Sequence, residues 1–280
     1  MEYWKVHVKR EYKLIDVVAH ITGTKKKAKR LIDEGLVSVS GKRELRYRRT
    51  LKPESTVEFC LNPLLFKPEK PEVLYREEGV WVVNKPPFLN SNRDRPNLEE
   101  AIKKVYGKEV MVVHRLDKQT SGAIVAVERK DLFEKFKEVF RKREIKKEYL
   151  TLIPNAPGWN RKRVDFRLDG KEAVTELSVL ERFKRGALLL AKIPTGRKHQ
   201  IRRHLAGIGL PVAGEFVYWK RAFPFPFNLS PRILLHSHRV EFKHPKTGKR
   251  VKVEAPLPED FQSFLKSLRE FRFNVKELTL

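Results

Sequence analysis

The sequence predicts an α+β protein with a small N-terminal α/β unit, a linker, and a large domain. That large domain is expected to be a large mixed, mostly antiparallel sheet flanked by helices. Three observations carry this reading. Beyond residue 73, helical and strand patterns alternate irregularly rather than in regular strand–helix–strand units. Many of the strand patterns are joined by hairpin-short connections, with Gly170 and Gly186 in the turns. Between Asn62 and Val73, Pro63, Pro68 and Pro71 sit among charged residues and read as a linker. The expected boundaries are 1–61, 62–72 and 73–280.

In the first unit, Leu14, Val17, Val18 and Ile21 fall at helical spacing and Gly23 supplies a stop. Thr24 is placed to cap a second helix, with Ala28, Leu31 and Ile32 inward and Lys25, Lys26, Lys27, Lys29 and Arg30 outward. Residues 36–39 and 56–59 read as strands around a Ser40-Gly41 turn. After the linker, residues 79–83 form a strand running into a Pro86-Pro87 loop, and 98–106 a short helix. Residues 110–113 and 123–127 are apolar strands around a polar loop. Asp131 is expected to cap a helix that buries Leu132, Phe133, Phe136, Val139 and Phe140. Strands are expected at 146–153, 164–168, 173–180 and 187–193. Thr195 is expected to cap a helix with Arg197 in its first turn, and Phe261, Phe264, Leu265 and Leu268 mark a closing helix.

Composition narrows the function. Lys and Arg total 61 against 35 Asp and Glu, a net charge of +26. A surplus of that size predicts a polyanionic partner, because neutralising phosphates releases counterions. A thermophilic surface would enrich Glu alongside Lys, and here the balance is lopsided. The single cysteine, Cys60, excludes an intrachain disulfide and cysteine-rich zinc sites. No signal peptide or membrane span is apparent. A monomeric cytoplasmic protein is the expectation.

One carboxylate, Asp117, lies in the polar loop with His114, Arg115 and Lys118 close in sequence. A nearby cation favours the ionised form of an acid. Asp117 is therefore expected as a carboxylate, suited to nucleophilic attack rather than proton donation. A second constellation, residues 194–205, carries Arg197 where a cation opposes the helix dipole. That mismatch points Arg197 at an anion, either a phosphate or Asp117.

Two resemblances follow. Two short helices, the second basic, with the Gly-Leu-Val-Ser-Val-Ser-Gly-Lys run at 35–42, resemble the small RNA-binding domain named after the fourth small-subunit ribosomal protein. The usual Gly-Asp before its last strand is absent near Leu51 to Thr56. In the large domain, His-Arg-Leu-Asp-Lys-Gln-Thr-Ser-Gly at 114–122, Lys-Glu-Tyr at 147–149 and Thr-Gly-Arg-Lys-His-Gln-Ile-Arg at 195–202 resemble, in order, the motifs of the RluA family of pseudouridine synthases. Lys-Glu-Ala-Val-Thr at 171–175, Gly-Leu-Pro-Val-Ala-Gly at 209–214 and Leu-Leu-His-Ser at 234–237 extend the match. The family's usual Lys-Pro-Ala-Gly is replaced at residues 85–88, with Phe88 at the glycine position.

The resemblance implies the pseudouridine synthase fold and the isomerisation of uridine in structured RNA. The bond from uracil N1 to ribose C1′ breaks, the base turns, and it rejoins through C5, with no cofactor or metal. It implies Asp117 as nucleophile or ribose-activating carboxylate, Arg197 as its partner, and Tyr149 as the aromatic that stacks on the uracil. Arg115 would hold the vacated position in the RNA, and Ile201 would line the pocket. His114, Lys147 and Arg202 are further substrate-binding expectations, as are Lys26, Lys27 and Arg30 of the basic helix. Large-subunit rRNA is the expected substrate and tRNA the alternative. A non-catalytic RNA-binding protein and an N-glycosidase are the competing classes.

Overall fold

The computed structural model describes residues 2–61, 70–92 and 94–280, so most of the expected linker lies outside the described residues. In chain order, β1 (Tyr3–Val8) and β2 (Tyr12–Lys13) precede α1 (Leu14–Thr22) and α2 (Lys25–Asp33). Then come β3 (Val37–Val39), β4 (Lys42–Arg43), β5 (Thr50–Leu51) and β6 (Ser55–Cys60). The larger part runs through β7 (Glu72–Glu77), β8 (Val80–Lys85), α3 (Leu98–Tyr106), β9 (Met111–Val112), β10 (Ser121–Val127) and α4 (Lys130–Arg141). It continues with β11 (Lys146–Ile153), β12 (Arg161–Val164), β13 (Thr175–Arg182), β14 (Ala187–Lys192) and α5 (Gln200–Gly207). β15 (Leu235–Lys243), β16 (Arg250–Glu254), α6 (Glu259–Glu270) and β17 (Val275–Thr279) complete it.

The two N-terminal helices form as their spacing predicts. α1 buries Leu14, Val17 and Val18 and ends at Gly23, whose φ of 79° suits glycine. In α2 the Thr24 side chain accepts from the Lys27 amide, satisfying one orphan donor, while Ala28, Leu31 and Ile32 face inward. Their sheet runs β17-β1-β6-β3-β4. β1 was not expected, because its buried Tyr3, Val6 and Val8 are diluted by Lys5 and His7. β17 pairs parallel to it, from Tyr3 opposite Val275 to His7 opposite Thr279. Polar Lys276 and Glu277 hid that strand from periodicity.

The large sheet runs β12-β13-β14-β11-β15-β10-β8-β7, with β16 on β15 and β9 on β10. Among the described ladders of this sheet, β10 with β15 is parallel and the rest antiparallel, so it is mixed and mostly antiparallel. Its central strands are covered on both faces, which is why they read as continuous apolar runs. Trp81, Val83, Ile124 and Ala126 join one buried cluster. Val80, Val82, Ala123 and Val125 join another with Leu132 and Phe136 of α4.

Three local expectations are corrected. Asp131 does not cap α4: the cap position is Arg129, and Asp131 lies in the first turn, accepting from the Arg129 Nε at 3.0 Å. The strand expected at 164–168 is β12, which ends at Val164, leaving Leu168 only an isolated bridge to Lys171. Thr195 caps no helix, because α5 begins at Gln200.

The N-terminal sheet packs on the segment after α5. Phe223 donates its amide to the Gly41 carbonyl at 3.2 Å, and Asn228 Nδ2 donates to Glu58 Oε1 at 2.6 Å. Arg43 donates to the Ser230 carbonyl and lies over the Phe216 ring. Burial pulls the Arg43 guanidinium down to about 10, with Glu215 opposing. Phe88, at the position of the family glycine, keeps a positive φ of 63° and packs against the N-terminal core.

Gly122 fixes the parallel contact of β10 with β15. Its φ is 107°, and a Cβ there would lie 2.2 Å from the Ser237 carbonyl oxygen. Gly122→Ala is expected to cost on the order of 3 kcal/mol, through strain and displaced backbone. Chemical denaturation of the variant against the parent measures it.

Candidate active site

The loop between β9 and β10 carries Asp117, and buried groups hold its backbone. Ser91 Oγ donates to the Leu116 carbonyl at 3.0 Å and accepts from the Leu116 amide. Lys85, fully buried, donates to the carbonyls of Pro86, Leu89 and Lys118. Burial pushes the Lys85 ammonium well below its ordinary range, and three carbonyl acceptors solvate it in place of water. Arg232, also fully buried, pairs with Asp260 and donates to the Gln119 carbonyl at 2.9 Å. The Thr120 amide closes the turn onto the Asp117 carbonyl.

The side chain of Asp117 is 24% exposed, open enough to meet a ligand. Arg202, on the first turn of α5, donates Nη1 to Asp117 Oδ2 at 2.9 Å and is itself 5% exposed. The rest of that guanidinium is forked onto Glu215, with Nε to Oε2 at 2.6 Å and Nη2 to Oε1 at 3.1 Å. Glu215 has no solvent exposure and also accepts the amides of Val217 and Tyr218. Burial alone would raise its carboxyl, but these donors bring it below its ordinary value. His199 Nε2 lies 3.5 Å from Asp117 Oδ1, and its Nδ1 is 2.8 Å from the Tyr218 hydroxyl.

This corrects the expected partner of Asp117. Arg197 points elsewhere: its Nε donates to the Glu172 carbonyl at 2.8 Å. The cause is the helix register. Thr195 Oγ1 is engaged by the Val174 amide and by Gln200, whose Oε1 also accepts from the Arg197 amide. That knot keeps 195–199 out of the helix and brings Arg202 round to Asp117.

Tyr149 sits on β11, just after a register irregularity against β15, a feature that re-aims side chains beside sites. It is buried in the cluster that contains Leu116 and Ile201. Burial raises the phenol well above its ordinary range, and the nearby Asp117 charge adds to this. Lys147, two residues earlier and 8% exposed, lies over Phe140, and burial followed by Arg197 lowers its ammonium to about 8. His114 turns inward, where its Nε2 accepts the Val125 amide and burial pushes the imidazolium down to about 3. Arg115 is exposed beside Asp117. Lys26, Lys27 and Arg30 lie on the exposed face of α2.

Sequence reasoning passed over Glu215, Lys85 and Arg232. The signal for Glu215 was a lone acid closing an apolar run, Pro-Val-Ala-Gly-Glu, in a strongly basic chain. His204 and His236 are bonded internally. His204 reaches Thr175 and the Phe166 carbonyl, and His236 reaches Ser121 and the Ala255 carbonyl. Among the described residues, no group of three His, Cys, Asp or Glu side chains is placed to hold a metal ion.

A carboxylate pinned on a buried guanidinium, with an aromatic behind it and basic residues around it, is equipped for covalent or electrostatic work on a nucleoside. Comparison with known proteins identifies the class. Residues 79–207 match the family model described as RNA pseudouridylate synthase. An "Uncharacterized RNA pseudouridine synthase" of Helicobacter pylori is 35% identical over 247 residues, covering 83% of this chain and 93% of that protein. "Ribosomal large subunit pseudouridine synthase D" of Pseudomonas aeruginosa is 33% identical, covering 72% of each. The chain belongs to the RNA pseudouridine synthase family, and it is an isomerase of that kind. The solved structure of "Human RNA Pseudouridylate Synthase Domain Containing 4" shares the fold, with a TM-score of 0.60 and 23% identity over 71% of this chain and 93% of that one.

Two outcomes follow from the geometry. Glu215→Gln removes the charge that anchors Arg202, so kcat is expected to fall roughly 10- to 100-fold, equivalent to about 1.4–3 kcal/mol. RNA affinity by filter binding is expected to stay within a few-fold of the parent. Lys147 is cationic below about pH 8 and loses its proton above it. If its charge aids RNA capture, kcat/KM, which reports the free enzyme, declines between pH 7 and 9, and Lys147→Arg flattens that decline.

Proposed function

We propose that this chain isomerises a uridine of large-subunit ribosomal RNA to pseudouridine, with Asp117 as the carboxylate that attacks or activates the everted nucleoside. The observation that carries this reading is the Asp117–Arg202 pair, reachable from solvent yet anchored on buried Glu215. An ionised, positioned carboxylate suits nucleophilic attack, and its fixed partner needs no reorganisation during reaction. Tyr149 is read as the aromatic against the target uracil, where stacking is worth about 1–3 kcal/mol per base. That helps offset the few kcal/mol of flipping a nucleotide from its stack. Arg115, Arg197 and Lys147 are read as cations that receive the RNA around the site, and Ile201 as part of the pocket wall behind Tyr149.

We read the N-terminal unit, with its exposed Lys26, Lys27 and Arg30, as a second RNA contact of the ribosomal-protein type. The net charge of +26 supports it, since backbone contacts supply affinity without sequence specificity. The rRNA substrate rests on relatives named as large-subunit synthases C and D. The bacterial relatives named as large-subunit synthases support a cytoplasmic location. It is read as acting as a monomer. Among the described residues, no helix is long and apolar enough to cross a membrane.

Tritium release from RNA labelled at uridine C5 tests the chemistry. The parent is expected to release label while retaining the base. Free uracil would indicate a glycosidase, and neither product a binding protein. Asp117→Asn is expected to abolish release with RNA affinity largely intact. Mapping pseudouridines in a strain lacking the protein tests the substrate, and a missing tRNA position instead of an rRNA one would overturn that assignment.

A further inference from the structure

We propose that His199 is a positioning residue for Asp117, holding the carboxylate oxygen that Arg202 does not reach, with Tyr218 setting the imidazole's tautomer. The proposal rests on the reading of Asp117 as the reacting carboxylate. Arg202 engages Oδ2, while His199 Nε2 faces Oδ1 at 3.5 Å. The backbone of His199 is left-handed, at φ 54° and ψ 30°, immediately before α5, and its side chain caps nothing in the helix. A non-glycine residue in that region is uncommon and costs on the order of 1 kcal/mol. The strain serves the direction of the ring, not the helix.

The proton inventory fixes the tautomer. A carboxylate has only acceptors, so the hydrogen between the two groups belongs to Nε2. In the neutral ring Nδ1 is then bare, and it accepts from the Tyr218 hydroxyl at 2.8 Å. The 3.5 Å separation exceeds a formed hydrogen bond, and contacts of this kind tighten when substrate closes the site. Glu215 and Tyr218 belong to one short segment. Through Arg202 and His199 that segment sets both oxygens of Asp117, and Arg202 also lies over the Tyr218 ring.

The charges facing His199 are Asp117 and Glu215, which favour its protonation, and Arg202 and Lys198, which oppose it. Burial outweighs them and lowers its imidazolium, so the ring is neutral at pH 7. On acidification the ring gains a proton. Asp117 then faces two full cations, its charge is over-stabilised, and kcat falls on the acid side.

The experiment measures kcat against pH and RNA affinity for the parent, His199→Ala, His199→Gln, Tyr218→Phe and Asp117→Asn, with thermal melts confirming folding. His199→Ala is expected to lower kcat at least tenfold with RNA affinity unchanged. His199→Gln, whose amide offers an N–H at the Nε2 position but does not titrate, should recover most of kcat and lose the acid limb. Tyr218→Phe should shift that limb. Parent-like kcat in His199→Ala, no recovery in a folded His199→Gln, an acid limb retained in His199→Gln, or an unshifted limb in Tyr218→Phe would each overturn the proposal. If Asp117→Asn stays active, the underlying reading of the site fails as well. If it is inactive while His199→Ala is parent-like, only the role of His199 fails.

Discussion

A guanidinium shut away from water between two carboxylates is the constraint around which this molecule is arranged. Burying Arg202 is costly unless its charge is matched and its donors are satisfied. Glu215 supplies a bidentate match with no solvent exposure, and Asp117 takes the remaining Nη1. The arrangement is asymmetric in a useful way. Glu215 is enclosed and committed, whereas Asp117 keeps a solvent-facing side. Arg202 can therefore fix the position of Asp117 without hiding its oxygens from a ligand.

The same economy governs the loop that carries Asp117. Two buried cations, Lys85 and Arg232, spend their donors on backbone carbonyls rather than on side chains of the site. Their burial is tolerable because the donations land on backbone carbonyls, on Asp260 and on the Ser121 hydroxyl. In return, the loop is determined from below by groups that no substrate touches. Rigid support of this type is what lets a short turn hold a reacting group within a fraction of an ångström.

Much of this was readable in the chain. The two-faced apolar runs announced the central strands, and the loop motif singled out Asp117, which the structure sets against Arg202. The helix pair at 14–33 followed from its spacing and from Thr24. What escaped reading escaped for physical reasons. Arg197 and Arg202 share one motif, and which of them meets Asp117 depends on where α5 begins. That start is decided by the Thr195–Gln200 knot with Val174, a contact between distant segments. Glu215 and Lys85 are polar residues whose importance comes entirely from burial, which periodicity assigns to apolar positions. β1 and β17 lack a clear alternation and become strands only by pairing with each other and with β6.

That last pairing couples segments about 270 residues apart in sequence. The ladder sets residue 3 beside residue 275, so one edge of the sheet that holds β1 is built from β17. A nascent chain leaving the ribosome displays β1 with a bare hydrogen-bonding edge until residues 275–279 have been synthesised. Exposed edges invite wrong partners, and closing so long a loop slows the right one. The large sheet, whose strands all lie between β1 and β17 in sequence, has the opportunity to form first. The sheet of β1 is then finished on a surface already folded.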